Sequence, residues 1–478
     1  MHKNRVKVSS IHSEMITMPS IKSIVRAISC TFIMILVIPA KLFAADWYVS
    51  PSGQDWYSGD SQANPFKNIS KGIQVAQAGD TIFVMDGTYR NSNFNYSKIL
   101  GTNPNYLNNN NVVTINKSGN AVDGPITLRN LPGHSPVIEF DGAGGIKLNA
   151  DVDYIVIEGF EVIGPAQYIS YEQAIANRDS AYNNGDPDNG TNYNYFSGRG
   201  IYGFGPHNNI VIRNNVVHDT AGSGIRLNDA DRSTIEFNRV YNATWWTHSA
   251  SSAIVFAEAI AEAGDNGSEI KMVMRGNVVY DSWNRIPFYS RTSVPNGNGP
   301  GGDYGTYAQN TVIDGQGLYV TRSDPSYAGT FLFENNIVFN CGKNGIHFDH
   351  SDSAHGIIRN NTLYYNGSHN IIQLQEHGQL LHNGPNKVAG INSRNTASVK
   401  VTNNIVVTRD DQYTAIGLYN IPDTIVKNNL FVNGSLVGTT PLDPTNMLNI
   451  DPQFINPSTD YLTADFNLAL SSPLRNAG

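Results

Sequence analysis

Six residues between positions 319 and 350 carry side chains that could do chemistry together: Tyr319, Arg322, Lys343, His347, Asp349 and His350. They are a phenol, a guanidinium, an amine, two imidazoles and a carboxylate. That set suits β-elimination from a uronate polysaccharide. The reaction needs a cation or strong donor on the C6 carboxylate, where enolate-like charge develops. It also needs a base for the C5 proton and an acid for the departing O4. Arg322 or Arg226 would clamp the carboxylate. Tyr319 and His347 would be acid and base, with Lys343 the alternative base. A free tyrosine has a pKa of about 10, so only ~1% is ionised near pH 8. To serve as a base it must be lowered by ~2 units, and neighbouring Arg and Lys are expected to supply that.

Each residue also has a plainer reading. Tyr319 suits any surface strand position, and Asp349 suits an ion pair with a neighbouring His or Arg. Lys343 sits in a turn, where a solvated lysine is ordinary. Arg226 and Arg394 belong to the residue type most often solvated or loosely paired.

What would bring these side chains together is a repeat. Residues 317–350 hold three short β-branched and aromatic runs, 318–321, 330–334 and 337–339, with Asn335 and Asn336 between the last two. After the turn at 341–344 the pattern restarts at Gly345 and Ile346. The period of 28 residues from Gly317 to Gly345 falls in the roughly 20–50 range of solenoids, whose units must stack to bury their apolar faces. One mark of the repeat is a small residue before an aliphatic: Ile201, Ile225, Ile254, Leu318, Ile346, Ile391 and Ile416. The other is asparagine before an aliphatic run, at Asn215, Asn238, Asn277, Asn336, Asn361, Asn404 and Asn429. Asparagine tolerates the left-handed backbone of a tight bend, and stacked amides can bond coil to coil. A sandwich of hairpins would not need asparagine at one recurring place. The fold expected is all-β, a single-domain right-handed parallel β-helix.

Side chains alternate along a strand. If the marked aliphatics point inward, the next residue points out, and so does the one two further on. The first outward column is then Tyr202, Arg226, Val255, Tyr319, His347, Asn392 and Gly417. The second is Phe204, Asn228, Ala257, Thr321, Asp349, Arg394 and Tyr419, with Glu258, Arg322 and His350 just past it. Residues 286–291 read as a further rung, adding Tyr289 and Arg291. Adjacent rungs lie ~4.8 Å apart, so the six residues of the opening would share one patch. Substrate contacts would come from Arg226, Glu258, Tyr289, Arg291, Asp349, His350 and Arg394. Trp245 and Trp246, beside His248, would be a sugar-stacking platform or packing at a coil corner.

Composition narrows the class. Charged residues are only 15%, with 44 Gly and 24 Tyr, a turn-rich β composition. A net charge of −8 excludes a nucleic-acid partner, which would need a basic surface. An anionic polysaccharide would have to be held by local cations. Residues 1–45 read as a signal peptide: Lys22 and Arg26 precede an apolar run ending at Ala44, and Met18 would start a more ordinary signal than Met1. Pro39 and Lys41 interrupt that run, so export to the periplasm or medium is favoured over a membrane anchor. The mature chain keeps one cysteine, Cys341, which forbids an internal disulfide and suggests a buried thiol. The expected state is a monomer.

Residues 46–90 read as cap and first strands: a strand at 47–50, a helical stretch around 69–77 that plugs the solenoid's open edge, and a strand at 81–84. The order Trp47-Tyr48-Val49-Ser50-Pro51, Pro65-Phe66 and Gly79-Asp80-Thr81-Ile82-Phe83-Val84 resembles the opening module of many secreted β-helix proteins. These include polysaccharide lyases of families nine and thirty-one and some glycosidases. The resemblance implies the fold and an extracellular carbohydrate role, not one reaction. Residues 451–478 resemble the C-terminal coil of the same proteins. The β-helix would occupy 91–478, with long insertions at 165–198 and 291–305 walling a groove, the second a Gly/Pro-rich lid.

The motifs of β-helix polygalacturonases are absent, as is the aspartate cluster of family-nine pectate lyases. No cofactor is called for. Glu258, Glu262 and Asp265 are close in sequence, and a metal site built from them would take calcium. What remains resembles a metal-independent Tyr/His or Tyr/Lys lyase of the family-thirty-one type, with alginate before pectate or a glycosaminoglycan as substrate. Two other readings stay open: a glycoside hydrolase using Glu258 and Asp349, and a carbohydrate-binding protein without turnover.

Overall fold

Short strands with buried and half-buried residues in alternation, such as 155–158 and 210–213, recur along the chain and pair only in parallel until the last 25 residues. In this computed structural model the described residues are 44–100, 110–183, 194–248, 251–287, 312, 314–369, 371, 388–439 and 441–475. The proposed signal segment to residue 43, the lid at 291–305, Tyr289 and Arg291 lie outside them.

Each full coil runs through three strands. In one coil these are Arg199–Asn208, Ile210–Arg213 and Val216–His218, and the next coil begins at Ile225–Asp231. Stacked coils form a 19-stranded and an 11-stranded parallel sheet. The larger comprises two faces, joined where Ile346–Arg359 and Val388–Thr402 each bend round a corner. The seven marked aliphatics pair in register and are all 0% exposed, so they form one interior stack. Cys341 is buried in that core.

The helix Ile69–Val75 covers the first coil, burying Ile69, Gly72 and Ile73. Asp80 ties this cap together. Its carboxylate accepts from the Ala45 and Gln77 backbone N–H groups and from the Trp47 indole, at 2.7, 2.9 and 2.9 Å.

The asparagine marks form a hydrogen-bonded ladder. The amide of each donates to the Oδ1 of the next, from Asn215 through Asn429 at 2.9–3.2 Å, and Asn446 adds an eighth rung. The left-handed backbone expected at these positions falls one residue earlier instead, at Asn214, Phe237, Gly276, Asn335, Asn360, Asn403 and Asn428. The bend takes two residues. The first supplies the conformation, which asparagine and glycine adopt cheaply, and the second supplies the bond.

A third corner follows the smaller sheet, with positive φ at Asp219, Asn242, Asp281, Asn340 and Tyr365. Burial raises the Asp281 carboxyl to about 6. An acid raised in the folded state costs stability as pH climbs from its unfolded value of about 4 towards 6, and that cost persists above 6. Asp281→Asn removes the charge, keeps an acceptor for the Asn340 amide at 2.6 Å and suits φ 49°. It should gain about 2 kcal/mol at pH 7 and little at pH 4. Thermal melts at both pH values test this, and equal shifts at the two would refute it.

Two segments differ from the expectation. Insertion 165–198, which showed little periodicity, contains the helix Tyr171–Asn183, flanked by short 3-10 turns at Ala166–Tyr168 and Asn194–Ser197. Its described part fully buries only Ala174 and Asn177, and its apolar face is one turn long, with Tyr171 and Ile175 half-buried beside Ala174. At the C-terminus, Phe454–Asn456 and Asp465–Leu468 form an antiparallel hairpin rather than a further coil. The hairpin packs on the outside of the smaller sheet. Tyr461 stacks on Tyr280 at 4.5 Å, and Arg239 donates to its hydroxyl at 2.8 Å.

Candidate active site

The site lies on the outer face of the strands Ile225–Asp231, Ile254–Ala257, Leu318–Thr321, Ile346–Arg359 and Val388–Thr402. Their register aligns Tyr202, Arg226, Val255, Tyr319, His347, Asn392 and Gly417 in one row. Phe204, Asn228, Ala257, Thr321, Asp349, Arg394 and Tyr419 align in the next. These are the two columns expected from alternation.

The Tyr319 and His347 rings stack at 4.9 Å with planes 18° apart. His347 is 6% exposed, and both of its nitrogens are engaged. Nδ1 faces the Gln316 amide at 3.1 Å, and Nε2 faces the Asn392 amide at 3.1 Å and Asp349 Oδ2 at 3.3 Å. Gln316 is oriented by Ser252, which donates to its Oε1, and by Asp314, which accepts from its Nε2 at 3.1 Å. Gln316 Nε2 can only donate, so His347 Nδ1 is the acceptor and the ring proton lies on Nε2 towards Asp349, which leaves the Asn392 Nδ2 approach a contact rather than a hydrogen bond. The same Asp349 oxygen meets His350 Nδ1 at 2.9 Å, and the His350 side chain is 49% exposed.

One coil back, Arg322 pairs with Glu258 at 2.8 Å. Glu258 accepts from Asn228 at 2.6 Å, and Asn228 accepts from Arg226 Nε at 2.8 Å. The backbone turns left-handed at this edge too. Asp229, Glu258, Arg322 and His350 take φ of 49°, 58°, 55° and 45° at successive coils. At the asparagine corner the same conformation falls mostly to Asn or Gly. For Glu258 and Arg322 it costs about 1–2 kcal/mol each, and strain of this kind gathers at functional sites. The turn swings Glu258, Arg322 and His350 off the strand direction along one edge of the face.

The electrostatics reverse one expectation. Burial raises the Tyr319 phenol well above its ordinary value, and Asp349 and Asp314 reinforce this against the weaker pull of Arg322. The neighbouring cations do not lower it, so Tyr319 is a protonated phenol throughout the working range. Burial also brings His347 down to about 4, so it is neutral. Asp349 is held ionised by His347, His350 and Thr321 despite burial. Its hydrogen bond raises His350 above the ordinary imidazole value. Burial lowers the Lys343 amine, against Asp314 and Asp349, so this lysine is not the solvated turn residue of the plainer reading. Arg226 is 9% exposed. Burial and the nearby Arg199 and Arg322 bring it down to about 10, where it stays charged at neutral pH.

Arg199, Asp314 and Gln316 were not anticipated. Arg199 and Gln316 stand two residues before the inward aliphatics Ile201 and Leu318, as do Ser252 and Asn344 in their own coils. That strand-entry column was readable by the same alternation. Polar atoms without partners gather around it: Asp314 Oδ2, both amide atoms of Asn344, and Asn392 Oδ1.

The other expected contacts divide. Arg394 is exposed, in register with Asp349 on the next coil. Trp246 is 5% exposed, and its indole N–H donates to the Ala166 carbonyl at 2.7 Å, so packing describes it. Trp245 carries the Arg285 guanidinium 3.4 Å over its ring. The three acids considered for calcium go to different partners. Glu258 pairs with Arg322, Glu262 accepts from Asn208 at 2.7 Å, and Asp265 pairs with Lys271 at 2.9 Å and with Arg232. Among the described residues, no group of three or more His, Cys, Asp or Glu could hold a metal ion. No helix among them is long and apolar enough to cross a membrane.

No family model matches the chain, and no curated protein matches it. Several solved structures are similar. A pectate lyase, Pel9A, shares 14% identity over 91% of this chain and 92% of its own, with a TM-score of 0.47. An alginate lyase from Paenibacillus sp. str. FPU-7 shares 14% over 80% and 94%, at 0.37. A glycoside hydrolase shares 8% over 85% and 96%, at 0.43. Likenesses at this level bear on neither substrate nor reaction. By its own strand pairing, the chain is a parallel β-helix with one chemically loaded face.

Proposed function

We propose that this protein is a secreted polysaccharide lyase that cleaves a uronate-containing polymer, alginate first, by β-elimination on the face described above. The observation that carries the reading is the ladder of corners at which Glu258, Arg322 and His350 hold left-handed backbone beside the Tyr319–His347 stack.

In this scheme Arg226 and Arg322 neutralise the C6 carboxylate, which makes the C5 proton more acidic. His350 takes that proton on Nε2, because Asp349 holds its Nδ1. His347 is a positioning residue rather than the base, since Gln316 and Asp349 occupy its two nitrogens. Tyr319 protonates the departing O4, a role that suits a phenol kept neutral by burial. Lys343 is the alternative base, Arg394 and Glu258 border the substrate, and no cofactor enters the scheme. The atoms balance: C5–H and C4–O4 break, a C4=C5 double bond forms, and one proton passes to the enzyme as another leaves it.

The test is ultraviolet absorbance of the conjugated uronate product on alginate, pectate, hyaluronan and chondroitin sulfate. With His350 as base, the rate rises with pH through the His350 titration, above its ordinary ~6.5, and then levels. His350→Gln should remove that limb and lower kcat by about 10²–10³. A limb that persists in the variant would overturn the assignment. Asp314 supplies the one observation favouring a hydrolase. Burial raises its carboxyl, as a general acid would require, beside the ionised Asp349. New reducing ends without absorbance would select that reading.

A further inference from the structure

The loaded face does not end at Arg226. In register beyond it come Tyr202, Lys147 and Thr114, on coils nearer the N-terminus. At that end a cavity of about 660 Å³ opens beside the capping helix Ile69–Val75, walled by Ser70, Gln74, Asn91, Asn111, Thr114 and Asn116, among others. Tyr202 donates to Asn111 Oδ1 at 2.8 Å, which joins the cavity rim to the column. Thr114 stands five rungs from Tyr319, about 24 Å at ~4.8 Å per rung. One rung is close to the length of one pyranose along a (1→4)-linked chain. Lys147, Arg199 and Arg226 lie between, and Arg199 and Arg226 both approach the Phe204 ring, at 5.0 and 6.0 Å. Phe204 is 38% exposed.

The chemistry changes along this line. The two cations of the cavity wall are committed to the protein. Lys117 donates to the Gln74 and Ala76 carbonyls at 2.8 and 2.6 Å, closing the last turn of the helix, and Arg90 pairs with Glu139. The rest of the wall is mostly amide and hydroxyl, with Ile73 and Val112 as its apolar members. Such a lining recognises sugar hydroxyls, whereas the Lys147–Arg199–Arg226 stretch recognises carboxylates.

We infer that this cavity is a distal subsite for the hydroxyls of the same polysaccharide, about five sugars from the point of cleavage, so that the chain lies along the helix axis. The inference rests on the lyase reading above. It predicts that kcat/KM rises at least tenfold between oligomers of three and of about six or seven units, then levels. Asn116→Trp and Ser70→Trp change exposed cavity positions and should collapse the ratio of long-chain to short-chain efficiency. Leu462→Ser, at an exposed site remote from the face, should leave it as in the wild type. A wild-type efficiency flat with length, or a ratio untouched by both tryptophans, would overturn the subsite while leaving the lyase standing. If no polymer is cleaved, the lyase reading falls, and gel retardation by the same polymers decides the subsite. Retardation lost in the tryptophan variants supports it. Equal retardation, or none in the wild type, overturns it.

Discussion

Tyr319→Phe should lower kcat on the cleaved polymer by about 10³, with KM within a few-fold and the fold intact. The substitution is close to a single-atom experiment. The ring that stacks on His347 at 4.9 Å remains, so the imidazole keeps its neighbour and the core stack is untouched. Only the hydroxyl goes. A protonated phenol contributes to the step in which O4 leaves and little to binding, so the loss belongs in kcat. A tenfold effect or less would remove Tyr319 from the acid role and turn attention to Lys343, whose amine burial lowers. A large rise in KM instead would make Tyr319 a binding residue.

The second large effect is on stability, at the asparagine ladder. Asn336 is 0% exposed. Its Oδ1 accepts from the Asn277 backbone and side-chain amides at 2.9 and 3.1 Å, and its Nδ2 donates to the Met274 carbonyl and Asn361 Oδ1, both at 2.9 Å. Asn336→Ala strands these groups in a dry interior and should cost about 3–5 kcal/mol. Its neighbour gives the internal control. Asn335 is exposed, and its role is a φ of 55°, so Asn335→Ala should cost only about 1 kcal/mol. Urea midpoints of the two variants decide this. Similar losses would mean that the ladder contributes no more than the bend.

The difference between those two asparagines shows what sequence could and could not convey. Period-two alternation and the small–aliphatic mark were enough to place Tyr319 beside His347 and Thr321 beside Asp349. Register in a parallel stack is set by the interior aliphatics, and those were readable. The roles of side chains on the face were not. The Tyr319 phenol was expected to be lowered by nearby cations, but burial and two aspartates raise it. Burial depends on what else covers a face, which no local pattern reports. His347 has the side chain of a base, but Gln316 and Asp349 close its two nitrogens. His350, the base of the proposed scheme, owes its position to a left-handed turn that strand alternation does not report. Arg199 and Gln316 belong to a column that begins two residues before the aliphatic, and Asp314, four residues before Leu318, lies outside any strand alternation. The helix Tyr171–Asn183 was illegible for another reason: it buries too little to leave a periodic trace.

The C-terminal hairpin bears on how such a molecule comes apart. A pure stack of coils is a one-dimensional object that can fray from either end, each coil held only by its neighbours. Here the hydroxyl of Tyr461 accepts from Arg239, a residue 222 positions earlier, and the Tyr461 ring lies against Tyr280. The tail thus clasps the middle of the rod from outside. Unwinding that begins at the C-terminal coil has to break this clasp before it can run back to the coils of the active face. The coils of the candidate site are therefore shielded from the end-fraying that the rest of the architecture invites.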